Sequence, residues 1–213
     1  MPARRDLLAA GLGLAGLLGA RPLLAAEAVL TPRQSAGPFY PVELPLDSDN
    51  DLVRVAGRRK PAEGIVTHVF GEVLGRDGRP LSGARVEIWQ CDAQGRYHHP
   101  RDRGGRADPD FQGFGAVNTG ADAAFRFRTI RPVAYPGRTP HIHFAIRAAG
   151  MAPFTTQMYV EGEPLNARDG LLNRIRDPRA RASVLVALRP APEIEAEALA
   201  GRFRIVVDHP GAA

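Results

Sequence analysis

The feature that most constrains the fold is a set of short runs in which apolar and polar residues alternate, with glycine and proline turns between them. In AAFRFRTI, Phe125 and Phe127 fall on one face of a strand, and Arg126 and Arg128 fall on the other. Similar runs recur as IVTHVFGEVLG, ARVEIWQCD, HIHFAIRAA, FTTQMYVEG and GRFRIVVDH. Alternation with period two at this spacing predicts an all-β fold, an antiparallel β-sandwich with little helix and with long loops that carry the active site.

The chain divides into a leader, an arm and one domain. Residues 29–64 contain many Pro, Gly and Asp residues without periodicity, which predicts an extended arm. Residues 65–213 hold the alternating runs and predict the β-sandwich domain. The stretch ARDGLLNRIRDPRARASVLVAL alone has some helical character, enough for a turn or two.

Residues 1–28 are typical of an export signal. Arg4 and Arg5 precede an apolar run rich in Leu, Ala and Gly, and Ala26–Ala28 provides a small-x-small cleavage site. The paired arginines resemble a twin-arginine signal, which exports proteins already folded. The apolar run is short and glycine-rich for a membrane span, so we expect a periplasmic or secreted protein with no membrane contact in its mature form; an uncleaved anchor is the alternative.

The charge distribution disfavours nucleic-acid binding. The formal net charge is +5, and Lys60 is the only lysine among scattered arginines, which form no basic helix or recognition motif. A soluble surface is the simple interpretation, and a mild attraction for an anionic small molecule is the sharper one. The single cysteine, Cys91, excludes an intrachain disulfide and a cysteine-built metal site, and we expect it to be a small apolar core residue.

The densest group of chemically active residues is YPGRTPHIHF. His141 and His143 lie two positions apart, so on a strand they share a face, while Ile142 and Phe144 point to the core. This arrangement places two imidazoles side by side, as a metal requires, although packed or surface histidines give the same pattern. Tyr135 precedes the pair by six residues in the same stretch.

Two tyrosines extend the candidate metal site. Tyr97 follows the predicted strand ARVEIWQ, and Tyr135 is framed by prolines. A tyrosine with a pKa near 10 loses its proton on binding a strong Lewis acid such as ferric iron. Zinc sites draw on Cys, His and carboxylate ligands and calcium sites on carboxylates and carbonyls, and this stretch offers no well-placed carboxylate. His98 and His99 are rival ligands, but adjacent loop residues do not easily face one metal, so we expect them to be solvated. Packed loop aromatics remain the alternative for both tyrosines.

The ordered set Tyr, Tyr, Arg, His, His resembles the intradiol ring-cleaving dioxygenases, notably the protocatechuate 3,4-dioxygenase group. The segments RDGRPLSGARVEIWQ, FRFRTIRPVAYPGR, PHIHF and FTTQMYVEGEP carry the resemblance over roughly residues 65–188, and QSAGPFYP extends it loosely into the arm. The loop from Tyr135 to His141 is shorter than in the protocatechuate enzymes and lacks their tryptophan; Trp89, the only tryptophan, lies elsewhere in the sequence.

The resemblance implies one Fe(III) per chain, with water or hydroxide as an additional ligand. Tyr135 would leave the iron when a catecholic substrate binds and would help to take up a substrate proton. Arg138 would stabilise negative charge on the ring carbon that oxygen attacks. The other implied roles are metal ligation by Tyr97, Tyr135, His141 and His143, support of Arg138 by Gln157, and contact with substrate by Pro38 and Tyr40, for which packing of the arm is the alternative.

The implied activity is cleavage of a catechol between its hydroxylated carbons by O2, which gives a muconate-type diacid. The expected partners are a catecholic small molecule and O2, with a homo-oligomer possible because the chain holds the whole ligand set. Two alternatives come from other classes: an exported, non-catalytic, transthyretin-like binding module, and another metal-dependent oxygenase or hydrolase that uses the same histidines.

Overall fold

The structure, a computed structural model, describes residues 28–45 and 47–209. The predicted export signal lies outside the described residues apart from Ala28. The strands are β1 Val66–Gly75, β2 Arg85–Trp89, β3 Phe114–Asn118, β4 Ala124–Ile130, β5 His141–Arg147, β6 Phe154–Val160, β7 Leu185–Val186, β8 Arg189–Pro190, β9 Leu199–Arg202 and β10 Ile205–Val207. The helices are two 3₁₀ turns, Pro164–Ala167 and Leu172–Arg174, and α1, Pro178–Ser183.

The strands form two sheets. In the first sheet, β4 pairs antiparallel with β1 on one edge, and β9 and β10 pair parallel with β1 on the other, with β8 beside β9. The second sheet has the order β3-β2-β5-β6-β7, in which β7 runs parallel to β6. The all-β prediction is confirmed, but the sheets are mixed rather than purely antiparallel, because the short C-terminal strands return after long connections that permit parallel pairing.

The hydrophobic core lies between the two sheets. Phe125 of β4 and Phe144 of β5 approach with ring centroids 5.9 Å apart, and Phe144 meets Phe203 at 5.0 Å. Ile142 and Ile146 on the same face of β5 are completely buried in this core. The opposite face of β5 is therefore turned to the outside of the sandwich, where a site can form.

The arm follows the outside of the sandwich with little regular structure. Residues 28–45 and 47–65 contain no helix or strand longer than an isolated bridge. The arm is nevertheless fixed at several points, for example by hydrogen bonds from Thr31 N to Val206 O (2.9 Å) and from Gln34 N to Thr155 O (2.8 Å). These bonds hold the arm across both sheets and bring residues 34–40 over the outer face of β5.

The helical stretch is short, as the sequence indicates. α1 begins after Asp177, whose side chain accepts hydrogen bonds from the backbone N–H groups of Arg179 and Ala180. None of the helices in the described part of the chain has the length and apolar character that crossing a membrane requires.

Candidate active site

The outer face of β5 carries two buried imidazoles. His141 and His143 are each 1% exposed, and their Nε2 atoms lie 3.2 Å apart. His141 Nδ1 lies 2.6 Å from the carbonyl oxygen of Thr139, so Nδ1 carries the proton and Nε2 presents its lone pair to His143. Burial, and then the charge of Arg138, lowers the pKa of His141 to about 4. Both imidazoles are held neutral, the form that binds a metal, because burial also lowers the pKa of His143 well below its ordinary value.

Two tyrosine rings complete a compact group around the histidines. The Tyr97 ring centroid lies 6.4 Å from that of His143 and 5.6 Å from that of Tyr135, and Tyr135 lies 5.4 Å from His141. Tyr97 is buried and lies just after the turn that follows β2, whereas Tyr135 is partly exposed on the loop before β5. That loop is a tight turn, in which Arg138 N donates to Tyr135 O at 2.9 Å and Gly137 has a positive φ of 82°.

The polar atoms of this group are not satisfied by the protein alone. Tyr97 Oη and His143 Nδ1 are buried, and within residues 28–45 and 47–209 neither makes a hydrogen bond of normal geometry. If His143 Nε2 donates to His141, His143 Nδ1 is an unpaired acceptor; if Nδ1 holds the proton, two Nε2 lone pairs face each other. A cation bound by both Nε2 atoms would remove the repulsion between the two lone pairs in the tautomer that keeps the His143 proton on Nδ1.

The tyrosines match the demands of a strongly acidic cation. Burial, and next the adjacent Tyr135, raises the pKa of Tyr97 well above 10, and burial also raises the pKa of Tyr135. Only a strong Lewis acid deprotonates such phenols near neutral pH. Within residues 28–45 and 47–209, no three His, Cys, Asp or Glu side chains are grouped to hold a metal, so a metal at the histidine pair would draw on tyrosine oxygens. Two neutral imidazoles and two phenols fit ferric iron.

Arg138 is fixed beside Tyr135. Its Nε donates to Asp169 Oδ2 at 2.8 Å, its Nη2 donates to Gln157 Oε1, and its Nη1 lies 3.5 Å from Tyr135 Oη. Burial alone would raise the pKa of Asp169, but hydrogen bonds from Leu172 N, the Arg138 guanidinium and Thr139 N hold it below its ordinary value. Arg138 therefore keeps one orientation, with its charge directed at the tyrosine oxygen.

Three residues contact the site although nothing in the sequence pattern predicted that they would. Trp89 stacks on His143 with ring centroids 4.8 Å apart and planes 5° apart, because the two residues are register partners on β2 and β5. Phe39 of the arm stacks on Tyr97 at 4.6 Å, and Asp169 anchors Arg138 from a sequence distance of 31 residues. Each contact depends on strand register or loop placement, which alternation does not specify.

Of the remaining residues predicted from the sequence, Gln157 contacts the site directly and Tyr40 and Pro38 lie near it. Gln157 lies at the site, as described above, whereas Tyr40 packs edge-on against Trp89 at 5.0 Å and its hydroxyl donates to Glu87 at 3.0 Å. Pro38 is exposed next to Gly37, where a Cβ would lie 3.3 Å from His143 Cε1. Contact of Pro38 and Tyr40 with substrate stays a prediction.

His98, His99 and Cys91 lie outside the candidate ligand group of Tyr97, Tyr135, His141 and His143. His98 is exposed, as predicted, but the prediction that His99 is solvated is wrong: its ring packs edge-on against Phe39 at 5.7 Å, and Nδ1 accepts from Arg101 N. Cys91 is buried in the apolar group around Trp89, and burial raises the pKa of its thiol to about 12, so it acts as the expected apolar core residue.

Two cavities border the site. A small cleft of about 210 Å³ is lined by Tyr135, Gly137, Arg138, Thr139, Leu165, Arg168 and Asp169. A larger, mostly apolar cavity of about 640 Å³ lies between the arm and the β2–β3 region, and its inner wall includes Phe39, Trp89 and Tyr97. Of these two cavities, the small cleft is the one lined by both Tyr135 and Arg138.

A family model and the relatives found by sequence comparison all describe dioxygenases. A family model described as dioxygenase matches residues 36–209. The beta chain of protocatechuate 3,4-dioxygenase from Burkholderia cepacia is 38% identical over 146 residues, which cover 64% of this chain and 62% of that protein. Catechol 1,2-dioxygenase 1 from Acinetobacter lwoffii is 35% identical over 181 residues, 75% of this chain and 57% of that protein. The chain thus spans about three fifths of the length of these two relatives.

Solved structures share the fold. The dioxygenase domain of a dioxygenase–carbohydrate-binding fusion from Streptomyces sp. SirexAA-E superposes with a TM-score of 0.66 at 34% identity, over 84% of this chain and 99% of that one. An intradiol ring-cleavage dioxygenase from Tetranychus urticae gives the same TM-score of 0.66 at 23% identity, over 87% of this chain and 98% of that one, which is a likeness of fold.

Proposed function

Since the chain belongs to the intradiol ring-cleavage dioxygenase family, we propose that it binds one Fe(III) and cleaves a catecholic ring with O2 to a muconate-type diacid. The observation that carries the proposal is the convergence of two neutral imidazoles, two phenols and one fixed guanidinium on the outer face of β5. A non-catalytic binding module has no need of these five groups together.

The residues that would hold the iron are Tyr97, Tyr135, His141 and His143. When bound, ferric iron supplies the Lewis acidity that stabilises deprotonated phenol and catechol oxygens. The two histidines and Tyr97 are buried, so they would be the ligands that stay in place when a substrate binds. Tyr135 is partly exposed on the small cleft, which makes it the ligand that an incoming catechol can displace.

Tyr135 and Arg138 have separate tasks. Tyr135 Oη is the protein atom on the cleft that can take up a proton from a catechol hydroxyl. Arg138, held by Asp169 and Gln157, donates N–H groups toward the same space and stabilises negative charge that develops on the ring. Trp89 restricts the rotation of His143 by stacking on it.

The test is a visible absorption spectrum of the iron-loaded protein, before and after anaerobic addition of catechol or protocatechuate. We expect a charge-transfer band from tyrosinate–iron contact that moves to longer wavelength with either compound. A Tyr135→Phe variant should keep iron and part of the colour but turn over more slowly by about 100-fold or more, because proton transfer by a positioned group typically contributes 10²–10⁴-fold. An iron-replete wild-type protein without colour would overturn the proposal, and full turnover by Tyr135→Phe would remove the role given to Tyr135.

We also propose that the protein is exported in folded form. The support is the order of paired arginines, apolar run and small-residue site in residues 1–28. Replacement of Arg4 and Arg5 by lysine should retain the full-length chain in the cytoplasm, which fractionation and immunoblotting would measure; unchanged export of that variant would argue against the twin-arginine route. A homo-oligomer of iron-bearing chains is the matching proposal for assembly, and light scattering coupled to size exclusion tests it.

A further inference from the structure

We propose that Arg168 selects catechols that carry an anionic substituent on the ring. The proposal rests on the function proposed above and concerns the small cleft beside Tyr135 and Arg138. Arg168 is exposed and lines this cleft together with both of those residues. A ring that displaces Tyr135 would approach from this cleft, which Arg168 also lines.

The size of the cleft limits what it can hold. Its volume of about 210 Å³ is below the roughly 300–1,000 Å³ that is usual for drug-sized ligands. A single substituted ring is thus the appropriate scale of ligand. The larger cavity, on the Tyr97 and Trp89 side, exposes neither Tyr135 nor Arg138 and does not offer a reacting ring the same two groups.

The charge of the cleft is uncompensated at Arg168. Arg138 is neutralised by the buried carboxylate of Asp169, the only acidic residue among those that line the cleft. Arg168 forms no side-chain hydrogen bond or ion pair with any residue of 28–45 or 47–209. One positive charge is therefore left over, and a guanidinium binds carboxylate groups through paired, charge-assisted hydrogen bonds.

The backbone at Arg168 is fixed while its side chain is free. Arg168 closes the 3₁₀ turn Pro164–Ala167 and donates its N–H to Leu165 O at 2.9 Å. The next residue, Asp169, is buried and accepts from Arg138, Thr139 N and Leu172 N. The Arg168 side chain therefore extends from a fixed backbone position in the wall of the cleft, and we infer that its guanidinium is the group available to a charged substituent on a bound ring.

The experiment compares protocatechuate with 3,4-dihydroxybenzamide, which has a neutral amide in place of the carboxylate. Kd is measured by anaerobic optical titration of the iron-loaded protein, and KM and kcat by steady-state turnover. In Arg168→Gln, we expect Kd and KM for protocatechuate to rise about tenfold, with less than a twofold change for the amide and with kcat and iron content unchanged. Arg168→Glu should weaken protocatechuate further, because like charges repel.

Two controls separate a specific contact from general charge. Arg174→Gln removes an exposed arginine from the same segment, outside the cleft, and should leave both ligands unchanged. Added salt should raise KM for protocatechuate in the wild type and have a smaller effect in Arg168→Gln. Equal changes for both ligands, or no change for either, would overturn the role of Arg168 while leaving the proposed function intact. A wild-type protein that neither shifts its spectrum nor turns over with any catechol would overturn both.

Discussion

The outer faces of the two sheets each carry a buried histidine side chain near an arginine and a carboxylate. Within the described residues, the histidine group on only one of these faces leaves buried polar atoms without hydrogen-bond partners. On the first sheet, His68 lies between Glu195 and Arg126, with Nε2 3.0 Å from Glu195 Oε2 and Nδ1 3.3 Å from Arg126 Nη2. Arg128 binds both Glu195 and Asp51. We call these five residues the His68 cluster.

On the second sheet, the candidate ligand group of Tyr97, Tyr135, His141 and His143 contains two buried polar atoms, Tyr97 Oη and His143 Nδ1, that make no hydrogen bond of normal geometry with the described part of the chain. In the His68 cluster, both ring nitrogens of His68 and the guanidinium of Arg128 have partners. A polar cluster that satisfies itself ties the fold together, here by fastening the arm and the loop before β9 to the first sheet. A polar cluster that leaves buried atoms unpaired indicates a ligand, because burying unpaired groups costs stability without return.

The largest expected effect separates the two clusters by metal content. His141→Ala should abolish iron binding and reduce turnover by roughly 1,000-fold or more, since the metal supplies several kcal/mol of transition-state stabilisation. His68→Ala should keep full iron occupancy and its charge-transfer band. Iron assay and visible spectra of both variants make the comparison, and full iron occupancy in His141→Ala would contradict the assignment.

The second comparison replaces an arginine by lysine in each cluster, which keeps the charge but removes the planar guanidinium. Arg138→Lys should lower kcat about 100- to 1,000-fold with iron retained, because lysine cannot keep the fork that binds Asp169 and Gln157 while facing Tyr135. Arg128→Lys, the matched change in the His68 cluster, should leave kcat unchanged. A kcat within twofold of wild type for Arg138→Lys would show that its charge alone, without the fork, is sufficient.

For stability, we expect the larger loss on substitution in the His68 cluster rather than at the candidate active site. Arg128→Met removes the partner of two carboxylates, and we expect the free energy of unfolding to fall by about 1–2 kcal/mol, between the values typical of surface and buried ion pairs. For a chain of this size, that corresponds to a decrease of roughly 2–8 °C in Tm. Urea unfolding and calorimetry measure both quantities; the spectrum of the iron-loaded variant should be that of the wild type.

The smallest effect is a pH dependence in the His68 cluster. Hydrogen bonding to Arg128 outweighs burial and, together with His68, lowers the pKa of Glu195 from 4.5 to about 2. Because the folded-state pKa is the lower one, this contribution to stability is present above about pH 4.5 and is lost as pH falls toward 2. The slope of unfolding free energy against pH in that window should flatten in Glu195→Gln, and an unchanged slope would locate the acid sensitivity elsewhere.

Local residue patterns predicted the main strands and the side chains that face the core. Alternation in AAFRFRTI and HIHFAIRAA indicated the strands, and the inner residues Phe125, Phe127 and Phe144 are buried as that pattern requires. The positions of Arg138 and Gln157 beside Tyr135 came from the resemblance of motifs. Local sequence could not predict the burial of His99 or the parallel pairing of β9 and β10 with β1, since both depend on segments remote in sequence.

By itself, the sequence determined that His141 and His143 share one face of a strand whose other face enters the core, because side-chain direction along a strand is a local property with period two. Only the tertiary structure decided that Trp89 stacks on His143, that Tyr97 comes within 6.4 Å of it, and that Asp169 fixes Arg138. Those contacts depend on strand register and on where loops and arm pack. Register and loop packing are selected by burial of apolar surface across the whole domain rather than by any one segment.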